Sequence, residues 1–558
     1  MKSVLKQTLS VLLVILISIV KVNAQETTAE IQGLITVGNA GIAGASVTAI
    51  HQPTGTKYVT TSRTDGRYNL TNLKIGGPYL LEVSYVGLKT EKQDDINLLL
   101  GQTYKANIKL MEASSSLKEV VVSSSKQDKI FNNARTGSQE TFNRNQITSL
   151  PTISRSYKDI IKLTPTYNGG SFGGQSSQLN NITIDGANFN NSFGLSGDIG
   201  GQTGQNAVSL DAIEQIQVNT SPFDVKNGGF VGGGVNSVSR SGTNTYSGSV
   251  YQYMKNKDWQ GYEVNGAPYT IKVPKQDYSY DLKGFTASGA IIKNKLFLFV
   301  NGEQESNTTP GTSWQASSSS NPANGTTYST ANKDSLEKLA AFLKSKYNYD
   351  PGAYQGYSFV SSSKRLTIKL DWNIDANNTF TFKYNYLRSA DQKPASNSGS
   401  ANSSYGRAAG NYAMPFFGAG YGINNNADVF IAELNTKMSN RMSNKLQVGY
   451  TALRDYRNPL STKEFPMVDI LDGNGQPFTS FGYELYTYGN KLNTDVYQLN
   501  DNLNIYAGKH EITVGLQSSF KKYLNGFSPN YEGTYRFASL NDFINSANGL
   551  GTKSTVYS

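Results

Sequence analysis

Two histidines, His51 and His510, and no cysteine are what this 558-residue chain offers to the commonest kinds of catalysis. Thiol nucleophiles, disulfides and cysteine-based zinc sites are therefore excluded. Neither histidine stands in a triad pattern, and there is no phosphate-binding Gly-Lys-Ser/Thr loop and no His-Glu-x-x-His. Asp185, Asp198, Asp211 and Asp224 could together hold a cation, but their intervals match no calcium loop. Carboxylates so placed more often cap turns or face water. The residues point to a protein that is not an enzyme, with no cofactor and no metal.

The elements around them are more informative. From about residue 246 onward, stretches of alternating polar and apolar residues come in pairs. Within a pair the link is short: Ile292-Lys293-Asn294-Lys295, Asp375-Ala376-Asn377-Asn378, Ser439 to Asn444, and Ala507-Gly508-Lys509-His510. Between pairs it is long and rich in Gly, Ser, Asn and Tyr, as in 306–362, 389–426 and 455–493. Tight turns on the periplasmic side and long loops outside are the pattern of a membrane β-barrel. A soluble sandwich has no need to sort turns and loops by side.

Leu366, Ile368, Leu370 and Trp372 alternate with Thr367, Lys369 and Asp371, giving one face for lipid and one for water. Phe380, Phe382, Tyr384 and Tyr386 form the partner strand; Leu446, Val448 and Tyr450, then Ile512, Val514 and Leu516, repeat the period. The pair Phe285–Ile292 and Leu296–Val300 is apolar on both faces, which leaves its register open. In one long link, Leu336, Leu339, Ala340 and Leu343 recur at helical spacing, so Asp334 to Lys346 is predicted to be an amphipathic helix.

Composition agrees. Gly (54) and Tyr (35) are abundant and charged residues make up only 16%, which suits turn-rich β structure with aromatic girdles. Lys2 and Lys6 precede an apolar run from Leu9 to Val20, and Val22-Asn23-Ala24 offers a cleavage site. Residues 1–24 therefore read as a secretory signal peptide. Its loss removes Lys2, Lys6 and Lys21, lowering the net charge from +10 to +7. With no run of Lys or Arg, nucleic acid is not an expected partner. No later segment is apolar for long enough to be a membrane helix, so any membrane crossing is made by strands.

Three segments precede the paired strands. Residues 25–112 read as a small Ig-like β-sandwich, with strands at Ile31–Ile35, Ala45–Ile50 and Tyr79–Val86, and a hairpin predicted across Asp65-Gly66. Residues 113–128 form a polar linker around one apolar island, Leu117 to Val122, suited to adding a strand to another protein's sheet or to closing the preceding domain. Residues 129–241 mix short helices and strands. Ser156 and Asp159 have capping-box spacing ahead of Tyr157, Ile160 and Ile161; Leu210, Ile213 and Ile216 suggest a second short helix. Asn181 to Ile184 reads as a strand entering a tight turn at Asp185-Gly186, and the Gly-rich run 228–235 lets backbones approach closely.

Gly44-Ala45-Ser46-Val47 and Thr64-Asp65-Gly66-Arg67-Tyr68 resemble the carboxypeptidase regulatory-like domain, which implies a non-catalytic module. The Glu119–Val122 island, Ile184-Asp185-Gly186 and Ala212-Ile213-Glu214-Gln215-Ile216-Gln217-Val218 resemble the plug region of TonB-dependent outer-membrane receptors. Pro222-Phe223-Asp224-Val225, Gly232-Gly233-Gly234-Val235-Asn236 and Arg240-Ser241-Gly242-Thr243-Asn244 are similar to the Oar-like branch of that superfamily. The resemblance spans residues 26–558. It implies a periplasmic extension domain, a TonB box at Glu119, Val120, Val121 and Val122, a plug containing Ile184, Asp185 and Gly186, and a large barrel.

The expected fold is therefore mainly β: a transmembrane antiparallel barrel over 242–558, an α+β plug over 129–241 and the N-terminal sandwich. Only about nine or ten strands can be found, too few to enclose a plug of roughly a hundred residues. The chain thus reads as the N-terminal part of a longer protein. The expected role is a receptor in the bacterial outer membrane, its N-terminal domain in the periplasm, that binds an external glycan, peptide or protein at its outer loops and moves it across the outer membrane with energy from TonB. A surface adhesin or assembly platform is the alternative. Its partners are TonB, outer-membrane lipid and the unknown ligand.

Overall fold

The computed structural model describes residues 26–112, 138–152, 155–220, 231–259, 263–266, 269–272, 277–402 and 406–558. The expected signal peptide, the island Glu119–Val122 and the stretch Pro222–Val225 lie outside these residues.

The N-terminal module has nine strands, the two-residue Ala40–Gly41 paired with the end of the first strand and eight others: β1 (Ala29–Val37), β2 (Ser46–His51), β3 (Thr56–Thr61), β4 (Arg67–Leu73), β5 (Gly76–Ser84), β6 (Glu91–Leu98), β7 (Thr103–Lys105) and β8 (Ile108–Leu110). One sheet runs β3-β2-β5-β6, while β1 pairs antiparallel with β4 and parallel with β7 and β8. The period of two turns Val47, Ala49 and His51 of β2, and Tyr79, Leu81 and Val83 of β5, into the core between the sheets. The hairpin expected at Asp65-Gly66 is instead a corner. The turn exists, with Gly66 at φ +79° and its amide donating to the Arg63 carbonyl at 2.9 Å. Its flanking strands belong to different sheets, because Tyr68, Leu70 and Leu73 of β4 bury against the β1 side.

The plug contains β9 (Gln139–Asn143), α1 (Arg144–Ser149), α2 (Tyr157–Ile161), β10 (Asn181–Ile184), β11 (Ala187–Asn188), β12 (Ile213–Asn219) and β13 (Gly234–Ser239). Its sheet order is β9-β12-β13-β10-β11, with β10 and β13 parallel. Ser156 caps α2, its hydroxyl accepting the amide of Lys158 at 3.0 Å rather than that of Asp159, which goes to the Ser156 carbonyl. The second predicted helix is corrected by the structure. Leu210–Ala212 make a single 3-10 turn, and Ile213–Asn219 is a strand inside the plug sheet. A three-residue spacing of apolar side chains fits a turn running into a strand as well as a helix. Burial of both faces and the branched Ile213, Ile216 and Val218 favour the strand.

Nine long strands follow: β14 (Ser247–Asn256), β15 (Ser279–Ile292), β16 (Leu296–Pro310), β17 (Ser358–Asn373), β18 (Asn378–Lys393), β19 (Tyr421–Lys437), β20 (Met442–Pro459), β21 (Lys491–Ala507) and β22 (His510–Gly526). They form one antiparallel sheet in chain order, with β14 and β22 at its edges. The predicted short turns stand where expected. The strands run further into the long links than the residue pattern indicates, since β16 reaches Pro310 and β17 begins at Ser358.

On the outer face Tyr384, Phe430, Tyr450, Tyr497 and Phe520 are direct cross-strand neighbours, with ring centroids 4.7, 6.3, 5.0 and 6.2 Å apart in turn. A continuous aromatic row of this kind suits a lipid-facing wall. On the inner face Phe299, Leu387, Val429, Ile431 and Leu453 join the plug's Ile147, Ile160, Ile184, Ile213 and Ile216 in a single core. This also explains the doubly apolar first pair. The bulge between Ala290 and Ile292 sets its register, and Phe297 and Phe299 point inward to buried positions rather than to water.

The long loops fold as well. The predicted helix is α3 (Lys333–Tyr347), capped by the Asn332 side chain and burying Leu336, Leu339 and Leu343. It shares a core with Tyr349 of its own loop and with Phe416, Phe481, Phe537 and Phe543 from the other loops. Arg407 is buried there, its Nε and Nη2 each 2.8 Å from the Asp469 carboxylate and its Nη1 donating to the Ser396 and Ser398 carbonyls.

Candidate functional site

The plug meets the barrel wall along a polar seam, and the turn Asp185-Gly186 is its centre. Thr183 pairs with Asn188 and Ile184 with Ala187, so Asp185 (φ +54°) and Gly186 (φ +80°) form a two-residue hairpin with both φ values positive. Asp and Gly are the residues that tolerate this geometry. A side chain on Gly186 would also collide with the Gln447 amide, 2.6 and 2.8 Å from the position its Cβ would take.

The Asp185 carboxylate accepts the Ser239 amide at 2.9 Å and the Ser239 hydroxyl at 2.6 Å. Lys383 of β18 and Lys369 of β17 bring their ammonium groups to 3.2 and 3.9 Å, and Lys369 also donates to the Ser239 carbonyl at 2.9 Å. The three charged side chains are 0, 3 and 6% exposed for Asp185, Lys383 and Lys369. Burial alone would raise the Asp185 pKa; Lys383, Lys369 and the Ser239 bonds outweigh it and hold the carboxyl below its ordinary value. Gln447 closes the turn by donating to the Asp185 carbonyl at 2.9 Å and to Glu433 at 3.1 Å.

The seam continues towards the loop side. Ser209 and Tyr251 donate to Glu303 at 2.6 and 2.8 Å, and Thr203 takes Asn425 and Ser389 at 3.2 and 2.8 Å. The other aspartates are used within the plug. Asp198 accepts from Tyr157 at 2.7 Å and pairs with Lys158 at 2.8 Å; Asp211 pairs with Arg144 at 3.1 Å and with Arg155. Asp224 lies outside the described residues. Among the described residues no three acidic, His or Cys groups gather as metal ligands would.

Gly169-Gly170-Ser171-Phe172-Gly173 has the spacing of a nucleophile elbow. Ser171 here belongs to a short hairpin and donates to the Asn168 carbonyl at 3.0 Å. His51 bonds Thr54 at 2.7 Å inside the N-terminal module, and burial beside Lys74 lowers its pKa to about 3. His510 opens β22 at a short turn. The structure thus places Ile184, Asp185 and Gly186 together at the seam, while Glu119–Val122 lie outside the described residues. Lys383, Glu433 and Gln447 are the additions. Their wet-face position follows from the period of two, but only strand register brings them to Asp185.

Family comparison identifies two of the three parts. Residues 238–554 match the outer membrane beta barrel domain family, and residues 30–111 the carboxypeptidase regulatory-like domain. The chain is 24% identical over 252 residues to the TonB-dependent transporter Oar of Myxococcus xanthus, covering 42% of this chain and 22% of that one. Among solved structures, the outer membrane transporter YddB from Escherichia coli aligns with a TM-score of 0.47 and 12% identity, over 72% of this chain and 50% of its own. The siderophore receptor PirA from Acinetobacter baumannii aligns with a TM-score of 0.44 and 17% identity, over 69% and 48%. The chain therefore spans 22% of the curated relative and 50% or less of these two receptors.

Proposed function

From a chain that belongs to the outer membrane β-barrel domain family and resides in the outer membrane, we propose a receptor that binds a ligand at its outer loops and passes it inward with energy from TonB. The observation that carries this reading is the plug seated on the inner wall, held by the buried Asp185–Lys383–Lys369 cluster. A separate insert bound to the inner wall by both an apolar core and a buried polar cluster suits controlled passage. A simple adhesive surface has no use for it. Similarity to a TonB-dependent transporter supports the same reading.

In this scheme residues 25–112 are a periplasmic module, 113–128 the tether and 129–241 the plug. Glu119, Val120, Val121 and Val122 add as a strand to the periplasmic domain of TonB, and three successive β-branched side chains suit that pairing. Ile184, Asp185 and Gly186 anchor the plug that the tether pulls. The folded loop core around α3 presents a preformed outer surface for a glycan, peptide or protein.

The test replaces Val120 of the full-length protein with a photo-crosslinking residue in living cells. Capture of TonB, lost when Val121 is replaced by Pro with the crosslinker still at 120, is the expected result, together with loss of transport when 117–122 are deleted. Equal crosslinking without TonB, or a surface phenotype indifferent to the deletion, would favour an adhesin or assembly platform instead.

A further inference from the structure

The N-terminal module carries a docking surface whose partner is the short-turn rim of this chain's own barrel. Asn373 donates to Thr56 at 2.7 Å, Asn440 to Thr61 at 3.2 Å, Asn72 to the Asn444 carbonyl at 3.3 Å, and Lys437 to the Val59 carbonyl. The Asn244 amide donates to the Pro53 carbonyl at 2.8 Å. Lys74 pairs with Asp371 at 3.1 Å. Thr27 donates to Glu433 at 2.9 Å and accepts from Lys445 at 2.6 Å. These contacts extend from the residues ahead of β14 to β20, and the Arg63 guanidinium over the Tyr506 ring carries them on to β21.

The module is bonded to the plug as well. Gln215 of β12 receives the Leu100 amide at 2.8 Å and donates to the Leu98 carbonyl at 3.1 Å; Gln217 donates to the Leu100 carbonyl at 2.7 Å. Asn236 of β13 donates to the Glu26 carbonyl at 2.6 Å, and Val238 packs into the module's own core. Between the three parts lies a cavity of about 160 Å3 whose walls include Lys74, Asp371, Lys383 and Glu433.

We infer that the N-terminal module is the periplasmic closure of the lumen, a second door beneath the plug that must swing away before any passage opens. This rests on the transport reading for its purpose but not for its geometry. The interface is mostly side-chain hydrogen bonds with two partly buried ion pairs, Lys74–Asp371 and Lys445–Glu26, each modest in net worth because water replaces it on opening. The tether leaves the module just past β8, which holds β1 by three residue pairs only, so a pull on 119–122 bears on the module and the plug together.

Asn435 is 7% exposed and lines the cavity beneath the module. In the full-length protein Asn435→Cys, as the sole cysteine, should react slowly with a bulky impermeant maleimide supplied from the periplasm. Lys74→Glu, which sets like charges against each other at Asp371, should raise that rate at least tenfold. A second variant, Thr56→Cys with Asn373→Cys, should cross-link on oxidation and, when added to Asn435→Cys, restore protection even beside Lys74→Glu. Unchanged labelling in Lys74→Glu, or failure of the pair to cross-link, would overturn the closure. Labelling that responds to both but not to TonB would support the closure and overturn the transport reading alone.

Discussion

Replacing Asp185 by Asn isolates what the buried charge does. Asn is close in shape and tolerates φ +54° as Asp does, so the hairpin to Ala187 keeps its backbone. What changes is that Lys383 and Lys369 lose their shared anion. Removing one partner of a buried ion pair costs about 3–5 kcal/mol. Lys369 keeps its bond to the Ser239 carbonyl, so about 2–4 kcal/mol is expected here. That is roughly a 30- to 700-fold shift from seated to released plug. Hydrogen exchange on the full-length protein in detergent, followed at Asn181–Ile184, measures it directly. Asp185→Ala should be worse by about 1–2 kcal/mol, since Ala is strained in the left-handed region. The acid response follows the same logic. With the folded pKa lowered, Asp185 stabilises the plug above the ordinary carboxylate range, and this is lost as pH falls through the lowered value. Asp185→Asn should remove that acid sensitivity. Exchange rates at 181–184 equal to the parent's within a factor of about three would show that charge does not seat the plug.

Two further outcomes are expected. Arg407→Ala leaves Asp469 with a buried, weakened ion pair and should loosen the outer-loop core by about 3–5 kcal/mol; protease should then cut within 396–481 while the barrel keeps its folded mobility on a gel, and equal resistance would contradict the assignment. His51 stays neutral in the fold down to about pH 3. Below about pH 6.5 the unfolded module binds a proton that the folded one does not, so stability falls by about 2 kcal/mol at pH 5. Urea unfolding of the module within the full-length protein, read by its exchange behaviour, should show this loss in the parent and not in His51→Gln.

Much of the wall was legible because a strand facing lipid and water must alternate, and nothing else in the chain produces Leu366, Ile368, Leu370 and Trp372 on one side. The α3 helix was legible for the same reason at a different period. What escaped depended on neighbours distant in sequence. Phe299 looked unplaceable until the plug supplied an apolar partner inside the lumen, and Phe297 until Lys74 of the N-terminal module lay over its ring. Leu210, Ile213 and Ile216 gave a spacing that two local structures share, and only the sheet around β12 distinguishes them. Asp185 and Gly186 could be placed in a turn, but their importance comes from Lys369, Lys383 and Gln447, whose meeting requires the register of β17, β18 and β20. The Asp65-Gly66 corner failed locally because a turn's residues describe its backbone and not the sheet each arm joins.

The plug need not leave as one body for a passage to form. Within the plug, a pull through residues 113–128 would reach β9 first, and every residue of β9 is only half-buried at the edge of the plug sheet. Peeling it exposes β12, whose Gln215 and Gln217 are then free to exchange the module's carbonyls for water. The apolar half of the plug, packed on Phe299, Val429 and Ile431, has no such stepwise route, because separating it exposes its whole contact area at once. On the transport proposal, force delivered at the tether would therefore work along the hydrogen-bonded side, one bond after another, with the apolar side staying seated on the wall.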